Sequence, residues 1–357
     1  MIKVLVVDDS PVARELLSHV LRTDPDIQVI GAAGSGKDAI ESIKYNRPDI
    51  ITMDINMSNM DGFEATRIIM ETDPLPIVIV TDRPDMHELE MSFQAIEAGA
   101  LAVLQKPHGI GHPAYTANVK ELITTVKLMS EIKVVRRWKS IAEKKGAPRR
   151  SAADSLSSQP AEVKVVAIGA STGGPPVIET ILSGLSKDFS LPVVIVQHMA
   201  PGFTPGLVEW LRQNSCLSVH VAPKSGMMRP GHVYLAPDGV QMKVDVDGRL
   251  LCTDDAPENG LRPSISYLFR SVSKVFGKAS VGVLLTGMGK DGAEELKSMR
   301  EKGALTIAQD EESSVVFGMP GEAIRIKAAT CALPPDKIAS VLNSVGISRG
   351  KKGLETR

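Results

Sequence analysis

Short apolar runs alternate along this chain with stretches in which apolar residues recur every three or four positions, and the alternation is set up twice. In the first third the runs are Val4–Val7, Ile27–Ile30, Ile50–Met53, Ile77–Val80 and Ala102–Leu104. Between them, Leu16, Leu17, Val20 and Leu21, and then Ala39, Ile40 and Ile43, fall on single helical faces. A last helix carries Val119, Leu122, Ile123, Val126, Met129 and Ile132. Such strand–helix alternation predicts five strands in a parallel sheet with right-handed crossovers.

The pattern stops near residue 136. Arg136-Arg137-Trp138-Lys139 and Lys144 to Arg150 are rich in basic residues, and Ser151 to Pro160 is serine-rich with few large apolar groups. Such a stretch buries too little surface to fold alone and reads as a flexible linker. The basic run carries the single aromatic Trp138 and lacks the repeated aromatic interleaving that marks a nucleic-acid surface. A second α/β pattern follows, with runs at Val163–Ile168, Val193–Val196, Val219–Ala222, Val233–Ala236, Val281–Leu285 and Leu305–Ala308. Closely spaced strands and turns from Val219 to Cys252, including Pro237-Asp238-Gly239, predict antiparallel hairpins at one edge. The expected organisation is a parallel α/β domain over 1–133 and a linker over 134–162. A doubly wound, mostly parallel α/β unit follows over 163–348, then a polar tail over 349–357.

Composition narrows the class. Hydrophobic residues make up 43% and charged residues 23%, a globular balance. A formal net charge of -1 points to neither nucleic acid nor an anionic surface. Three scattered cysteines, Cys216, Cys252 and Cys331, lack metal-ligand spacing and read as small core residues in a reducing compartment. The apolar run at the N-terminus is too short for a signal peptide, and no apolar stretch reaches spanning length. The expectation is a cytoplasmic protein without membrane insertion.

Candidate chemistry gathers at predicted strand ends. Asp8 and Asp9 follow the first strand and Asp54 the third; Thr81 and Lys106 end two more. In a parallel sheet these ends share one edge. Three carboxylates there repel one another unless a cation intervenes, and an oxygen-only ligand set suits Mg²⁺. A hydroxyl and an ammonium beside a metal-bound carboxylate make a site for a phosphoryl group on that carboxylate. The plainer reading of Asp8-Asp9 is helix capping, with Ser10 as N-cap and Pro11 at the first helical position.

In the second unit, Gly169-Ala170-Ser171-Thr172-Gly173-Gly174 joins a strand to a helix and lifts Ser171 to the sheet's carboxyl edge. A serine nucleophile needs a base and an orienter. His198 follows the strand Val193–Val196, and Asp291 follows Val281–Leu285. A second reading competes: Gly287-Met288-Gly289-Lys290-Asp291-Gly292 fits a dinucleotide fingerprint, with Asp310 ending the next strand. That reading leaves Ser171 and His198 without a role, whereas a hydrolase uses all three loops.

Residues 1 to about 130 resemble the receiver domain of response regulators, a flavodoxin-like fold. The match lies in Val6-Val7-Asp8-Asp9-Ser10, Met53-Asp54-Ile55-Asn56-Met57, Asp61-Gly62, Thr81 and Lys106-Pro107. The resemblance implies phosphorylation of Asp54, Mg²⁺ held by Asp9, Asp54 and the Asn56 carbonyl, a cis bond before Pro107, and a histidine kinase as phosphodonor. Ser58 stands where proline is usual, and Val103 where an aromatic switch residue is usual. Residues 163 to about 345 resemble the catalytic domain of the CheB family of protein-glutamate methylesterases. The match comprises Ile168 to Pro175, Gln197-His198-Met199, Arg262-Pro263-Ser264, Leu284 to Gly292, Ala308-Gln309-Asp310 and Val315 to Pro320. Ser266 stands where the family often has aspartate. This resemblance implies a serine hydrolase acting on glutamate methyl esters of chemotaxis receptors, with deamidation of receptor glutamines, and no cofactor in the catalytic domain. It casts Ser171 as nucleophile, His198 as base and Asp291 as orienter. Backbone N–H groups near Thr172 and Met288 are the oxyanion-hole candidates. The alternative is a response regulator whose output domain is a divergent hydrolase or binds a nucleotide in a non-chemotactic system.

Overall fold

The computed structural model describes residues 1–82, 86–109, 111–132, 134 and 162–346. Most of the expected linker 134–162, with its basic run, and the whole polar tail 349–357 lie outside these residues.

The first sheet is built from β1 (Ile2–Val7), β2 (Ile27–Ala33), β3 (Ile50–Met53), β4 (Ile77–Thr81) and β5 (Ala102–Gln105), in the order β2-β1-β3-β4-β5 with every pairing parallel. Connecting helices are α1 (Pro11–Arg22), α2 (Gly36–Tyr45), α3 (Gly62–Thr72) and α4 (Met86–Ala98), and α5 (Tyr115–Ser130) closes the unit. Ser10 caps α1 through its hydroxyl, with Pro11 at the first helical position, so the capping reading of this segment holds alongside the acidic one. β3 and β4 are buried along their whole length, and apolar clusters lie on both faces of the sheet. That is why these strands read as continuous apolar runs rather than as alternating ones.

The second unit begins with β6 (Val165–Ala170), α6 (Gly174–Ser183), β7 (Val193–Gln197) and α7 (Thr204–Asn214). Short strands follow: β8 (Ser218–Val221), β9 (Ser225–Met227), β10 (His232–Leu235), β11 (Gln241–Val244) and β12 (Arg249–Thr253). Then come α8 (Ile265–Phe276), β13 (Ser280–Leu284), α9 (Ala293–Glu301), β14 (Leu305–Gln309), α10 (Met319–Arg325), β15 (Cys331–Leu333) and α11 (Pro335–Gly346). Seven of these strands form one sheet in the order β15-β14-β13-β6-β7-β10-β8, all parallel. β11, β12 and β9 form a separate antiparallel sheet.

The antiparallel edge is therefore only half of the section expected to supply it. β8 and β10 join the parallel sheet because the chain between them leaves through β9 and returns in the same direction, a crossover in place of a hairpin. β15 was not anticipated; three residues at a sheet edge carry no periodic signal. Cys216 is exposed, contrary to the core placement expected of it, and all three cysteines are free thiols.

The two units touch. Helix α4 of the first unit packs on α7 and α6, with Phe93 buried in the apolar cluster of the second unit. Val103 of β5 packs with Met199, Ala200 and Phe203. Val315 and Val316 reach back to the α5 side of the first unit.

Candidate active site and phosphorylation site

Asp8 and Asp9 leave β1, Asp54 leaves β3, Thr81 ends β4 and Lys106 follows β5, so all five lie at the carboxyl edge of the first sheet. Carboxylate oxygens of Asp8, Asp9 and Asp54 lie within 4.8 Å of one another. Asp8 and Asp54 are buried, and Asp9 is exposed. Lys106 Nζ lies 2.7 Å from Asp8 Oδ2, 3.0 Å from Asp54 Oδ2 and 3.4 Å from Asp82 Oδ2. Burial pushes the Asp54 carboxyl up to about 6; the Lys106 charge opposes that rise and the Asp8 charge adds to it. Burial alone would depress the Lys106 ammonium, but hydrogen bonds and charge from Asp8 and Asp54 outweigh it and hold the group well above its usual range. One ammonium thus shares two buried carboxylates. Asp8 Oδ2 is fully buried, and its charged neighbour, Lys106 Nζ, is shared with Asp54. Three carboxylates facing one ammonium make an all-oxygen donor set that fits a hard divalent cation such as Mg²⁺. The peptide bond before Pro107 is not cis: among the described residues the cis bond is Arg262–Pro263. Nothing in the structure explains the departure beyond the ordinary preference for trans.

In the second unit Ser171 is the first residue after β6. The register Ala170↔Gln197 between β6 and β7 sets Ser171 beside His198, whose N–H donates to the Ala170 carbonyl at 2.9 Å. β13 flanks β6 on its other side, and the loop after β13 carries Asp291. The three side chains therefore leave three adjacent central strands at one edge, where parallel α/β sheets bind ligands.

His198 Nε2 lies 3.0 Å from Asp291 Oδ2. Among the described residues no hydrogen bond joins Ser171 Oγ to either ring nitrogen of His198, and Nδ1 is the nitrogen that Asp291 does not engage. Asp291 Oδ2 also accepts from Ile265 N at 2.7 Å, while Oδ1 accepts from Ser266 N at 3.1 Å and Ser264 Oγ at 3.0 Å. Burial would raise the Asp291 carboxyl. The hydrogen bond from His198, and then those from Ser266 and the Ile265 backbone, overcome burial and bring it down to about 2.

The loops are locked around Ser171. Its N–H donates to the Thr286 carbonyl at 3.0 Å, and Thr286 Oγ1 donates to the Thr172 carbonyl at 3.0 Å. Gln197 Nε2 donates to the carbonyls of Ser171 and His198 at 2.8 and 2.7 Å. A Cβ on Gly287 would lie 2.5 Å from Ser171 Cβ, so only glycine lets the loop after β13 pass behind the serine. Gly173 caps α6 at φ +78°, and a side chain there would strike Val315. Thr172 N and Met288 N donate no hydrogen bond among the described residues. The Gly-x-Gly-x-x-Gly spacing is thus spent within the protein: Gly287 is pressed against Ser171 and Met319, and Asp310 accepts from Ser313 N at 3.2 Å.

Ser171, Thr172, His198 and Met288 line a cleft of about 550 Å³ whose opposite wall is Phe93, Ile96, Val103 and Glu121 of the first unit. Two groups near the site escaped the sequence reading. Gln197 stood inside a matching motif without a role, and Ser266 was given none. The signal for the second was available: Ser264 precedes Ile265, Leu268, Phe269 and Val272, a capped amphipathic helix whose N-terminus attracts an anion.

The fold and the two sites define a response regulator, a receiver domain joined to an α/β output unit of the methylesterase type. Residues 4–112 match the response regulator receiver domain, and residues 166–342 match the CheB methylesterase family. A protein-glutamate methylesterase/protein-glutamine glutaminase of Nitrosospira multiformis is 54% identical over 356 residues, 99% of each chain. Protein-glutamate methylesterase/protein-glutamine glutaminase 1 of Syntrophus aciditrophicus is 54% identical over 96% of this chain and 97% of its own. The crystal structure of the Thermotoga maritima CheB methylesterase catalytic domain, 35% identical, covers 52% of this chain and 100% of that one with a TM-score of 0.50. The chain belongs to the CheB methylesterase family. Receiver domains generally bind Mg²⁺. Among the described residues no helix is long and apolar enough to cross a membrane.

Proposed function

We propose that this chain is a phosphorylation-regulated serine hydrolase. It demethylates glutamate γ-methyl esters on methyl-accepting chemotaxis receptors, and deamidates receptor glutamines, from the cytoplasm. The receiver spans 1–133, the linker 134–162, the catalytic unit 163–348 and the tail 349–357. The observation that carries this reading is the meeting of Ser171, His198 and Asp291 on adjacent strands, with Asp291 bonded to His198 Nε2.

Ser171 Oγ attacks the acyl carbon while His198 takes its proton at Nδ1. Asp291 holds the proton on Nε2 and stabilises the imidazolium. The N–H groups of Thr172 and Met288 receive the oxyanion, and one such donor is worth roughly 3–4 kcal/mol. Methanol leaves with the proton returned by His198; from an amide, ammonia leaves instead. Water, deprotonated by the same nitrogen, then releases the glutamate carboxylate and frees Ser171.

Asp54 accepts the phosphoryl group from a histidine kinase. Asp9, Asp54 and the Asn56 carbonyl would hold Mg²⁺, and the ion would supply positive charge against the phosphoryl oxygens. Asp8 completes the acidic pocket. Lys106 and Thr81 orient and neutralise the phosphoryl oxygens.

The unphosphorylated receiver inhibits by covering Ser171. Receiver side chains Phe93, Ile96, Val103 and Glu121 line the same cleft as Ser171 and His198, so they stand where a receptor segment must approach. The test of the reaction is methanol release from methylated receptor fragments. Ser171→Ala, His198→Ala and Asp291→Asn should each lower turnover by orders of magnitude, with non-additive losses. Undiminished release by Ser171→Ala would refute the hydrolase.

A further inference from the structure

Asp291 is an unusual anion to find so deep: only 7% exposed, and bonded to one histidine that is neutral for part of the cycle. What holds it is the first turn of α8. Ser264 Oγ lies 3.0 Å from Asp291 Oδ1 and 3.3 Å from Oδ2, so its single proton serves the carboxylate. The same hydroxyl accepts from Tyr267 N, which caps the helix without competing for that proton. Ser264 itself is wholly buried, and its N–H donates to Gln241 Oε1 at 2.9 Å. Gln241, equally buried on β11, donates to the carbonyls of Ala256 and Leu261. Ser266 Oγ accepts from Gly292 N at 2.9 Å, which ties the loop after Asp291 to the same turn.

We propose that Ser264 is a positioning residue for catalysis: braced by Gln241 on the small antiparallel sheet, it aims Asp291 at His198 Nε2. The inference rests on the hydrolase reading above. It gives the three-stranded sheet a place in the chemistry, since Gln241 of β11 supports the base through Ser264 and then Asp291. A hydroxyl bonded to a buried carboxylate cannot be deleted without leaving part of that anion unsatisfied. Its loss lets the carboxylate rotate toward Ile265 N and Ser266 N and away from the imidazole.

Ser264 also caps α8, so the experiment must separate aim from folding. Ser264→Gly loses the hydroxyl but costs an N-cap only a few tenths of a kcal/mol, whereas Ser264→Ala costs more. Methanol release is measured on the full-length chain with phosphodonor, for Ser264→Ala, Ser264→Gly, Ser264→Thr and Ser171→Ala. We expect kcat to fall about tenfold in the alanine and glycine variants alike, with KM unchanged, as for a lost hydrogen bond to a charged group. Threonine should restore most of the rate. In an Asp291→Asn background Ser264→Gly should cost nothing further, because the serine acts only through that carboxylate. Nitrogen-15 spectra of labelled histidine should show the His198 proton on Nε2 in the parent chain and a shifted Nε2–H resonance in Ser264→Gly. Full kcat in Ser264→Gly, a loss carried by KM, or an undiminished loss in the Asp291→Asn background would each overturn the proposal while leaving the hydrolase intact. Activity surviving in Ser171→Ala would instead remove the reading on which it stands.

Discussion

Phe93 lies nearly face to face with Trp210, the ring centroids 5.7 Å apart and the planes 19° from parallel. One ring belongs to α4 of the receiver and the other to α7 of the catalytic unit, and both are buried. Burying a phenylalanine is worth about 1.5–3 kcal/mol and an aromatic pair about 0.5–1.5 more. That is the scale on which a docked–undocked equilibrium is set. Phe93→Ala should therefore raise esterase activity of the unphosphorylated chain about tenfold or more and shrink the response to phosphodonor. In a Trp138→Phe background, Trp210 emission should shift to the red in the same variant. Unchanged basal activity would show that this contact does not hold the units together.

Val103 offers a second handle on the same interface. It occupies the place of the usual aromatic switch residue and packs with Met199, Ala200 and Phe203, directly beyond His198. A tyrosine there puts a ring at the seam between the units, where Val103 borders the cleft beside Ala200 and Phe203, and so alters the docked contact. Val103→Tyr is expected to raise basal esterase turnover and lower the activation ratio. A basal rate below that of the parent chain would contradict this.

Acid should weaken the catalytic unit through one carboxylate. Asp291 is held down to about 2 against a reference of 3.8, so the folded state binds its proton less readily than the unfolded chain. Its contribution is whole above pH 4 and is lost as pH falls from about 4 through about 2. The shift corresponds to about 2 kcal/mol. Denaturant titrations across that window should show a steeper loss of stability in the parent chain than in Asp291→Asn. Parallel slopes would mean that the hydrogen bonds around Asp291 do not favour its anion.

Labelling of the receiver tests the other site. A small phosphodonor with Mg²⁺ should place the phosphoryl group on Asp54. Asp54→Asn should abolish the label, and Asp9→Asn should do so through loss of the metal. Peptide mapping that finds the label on Asp49 or Asp61 would refute the assignment.

Much of this was legible in the sequence for physical reasons. Strands buried on both faces, such as β3 and β6, read as unbroken apolar runs, and parallel pairing follows from the helices between them. Strand ends then bring Asp8, Asp54 and Lys106 together, or Ser171, His198 and Asp291, with no further information. What the sequence hid depends on contacts distant along the chain. The course of β8 and β10 is fixed by β9 leaving the main sheet, not by any local turn. The bond of Asp291 to His198 Nε2 rather than Nδ1 is a matter of side-chain placement. The roles of Ser264 and Gln241 appear only when α8 and β11 are packed together. The docking of Phe93 on Trp210 joins residues on either side of the linker, across which no pattern runs.

The central claim is that the receiver restrains Ser171 by covering it and that phosphate releases the cover. Methanol release from methylated receptor fragments should be compared for the full chain, with and without phosphodonor, and for a chain lacking residues 1 to about 150. The account predicts a low rate for the unphosphorylated full chain, a higher rate with phosphodonor, and a truncated enzyme that exceeds the unphosphorylated rate and ignores the phosphodonor. A truncated enzyme no faster than the unphosphorylated full-length chain would contradict it.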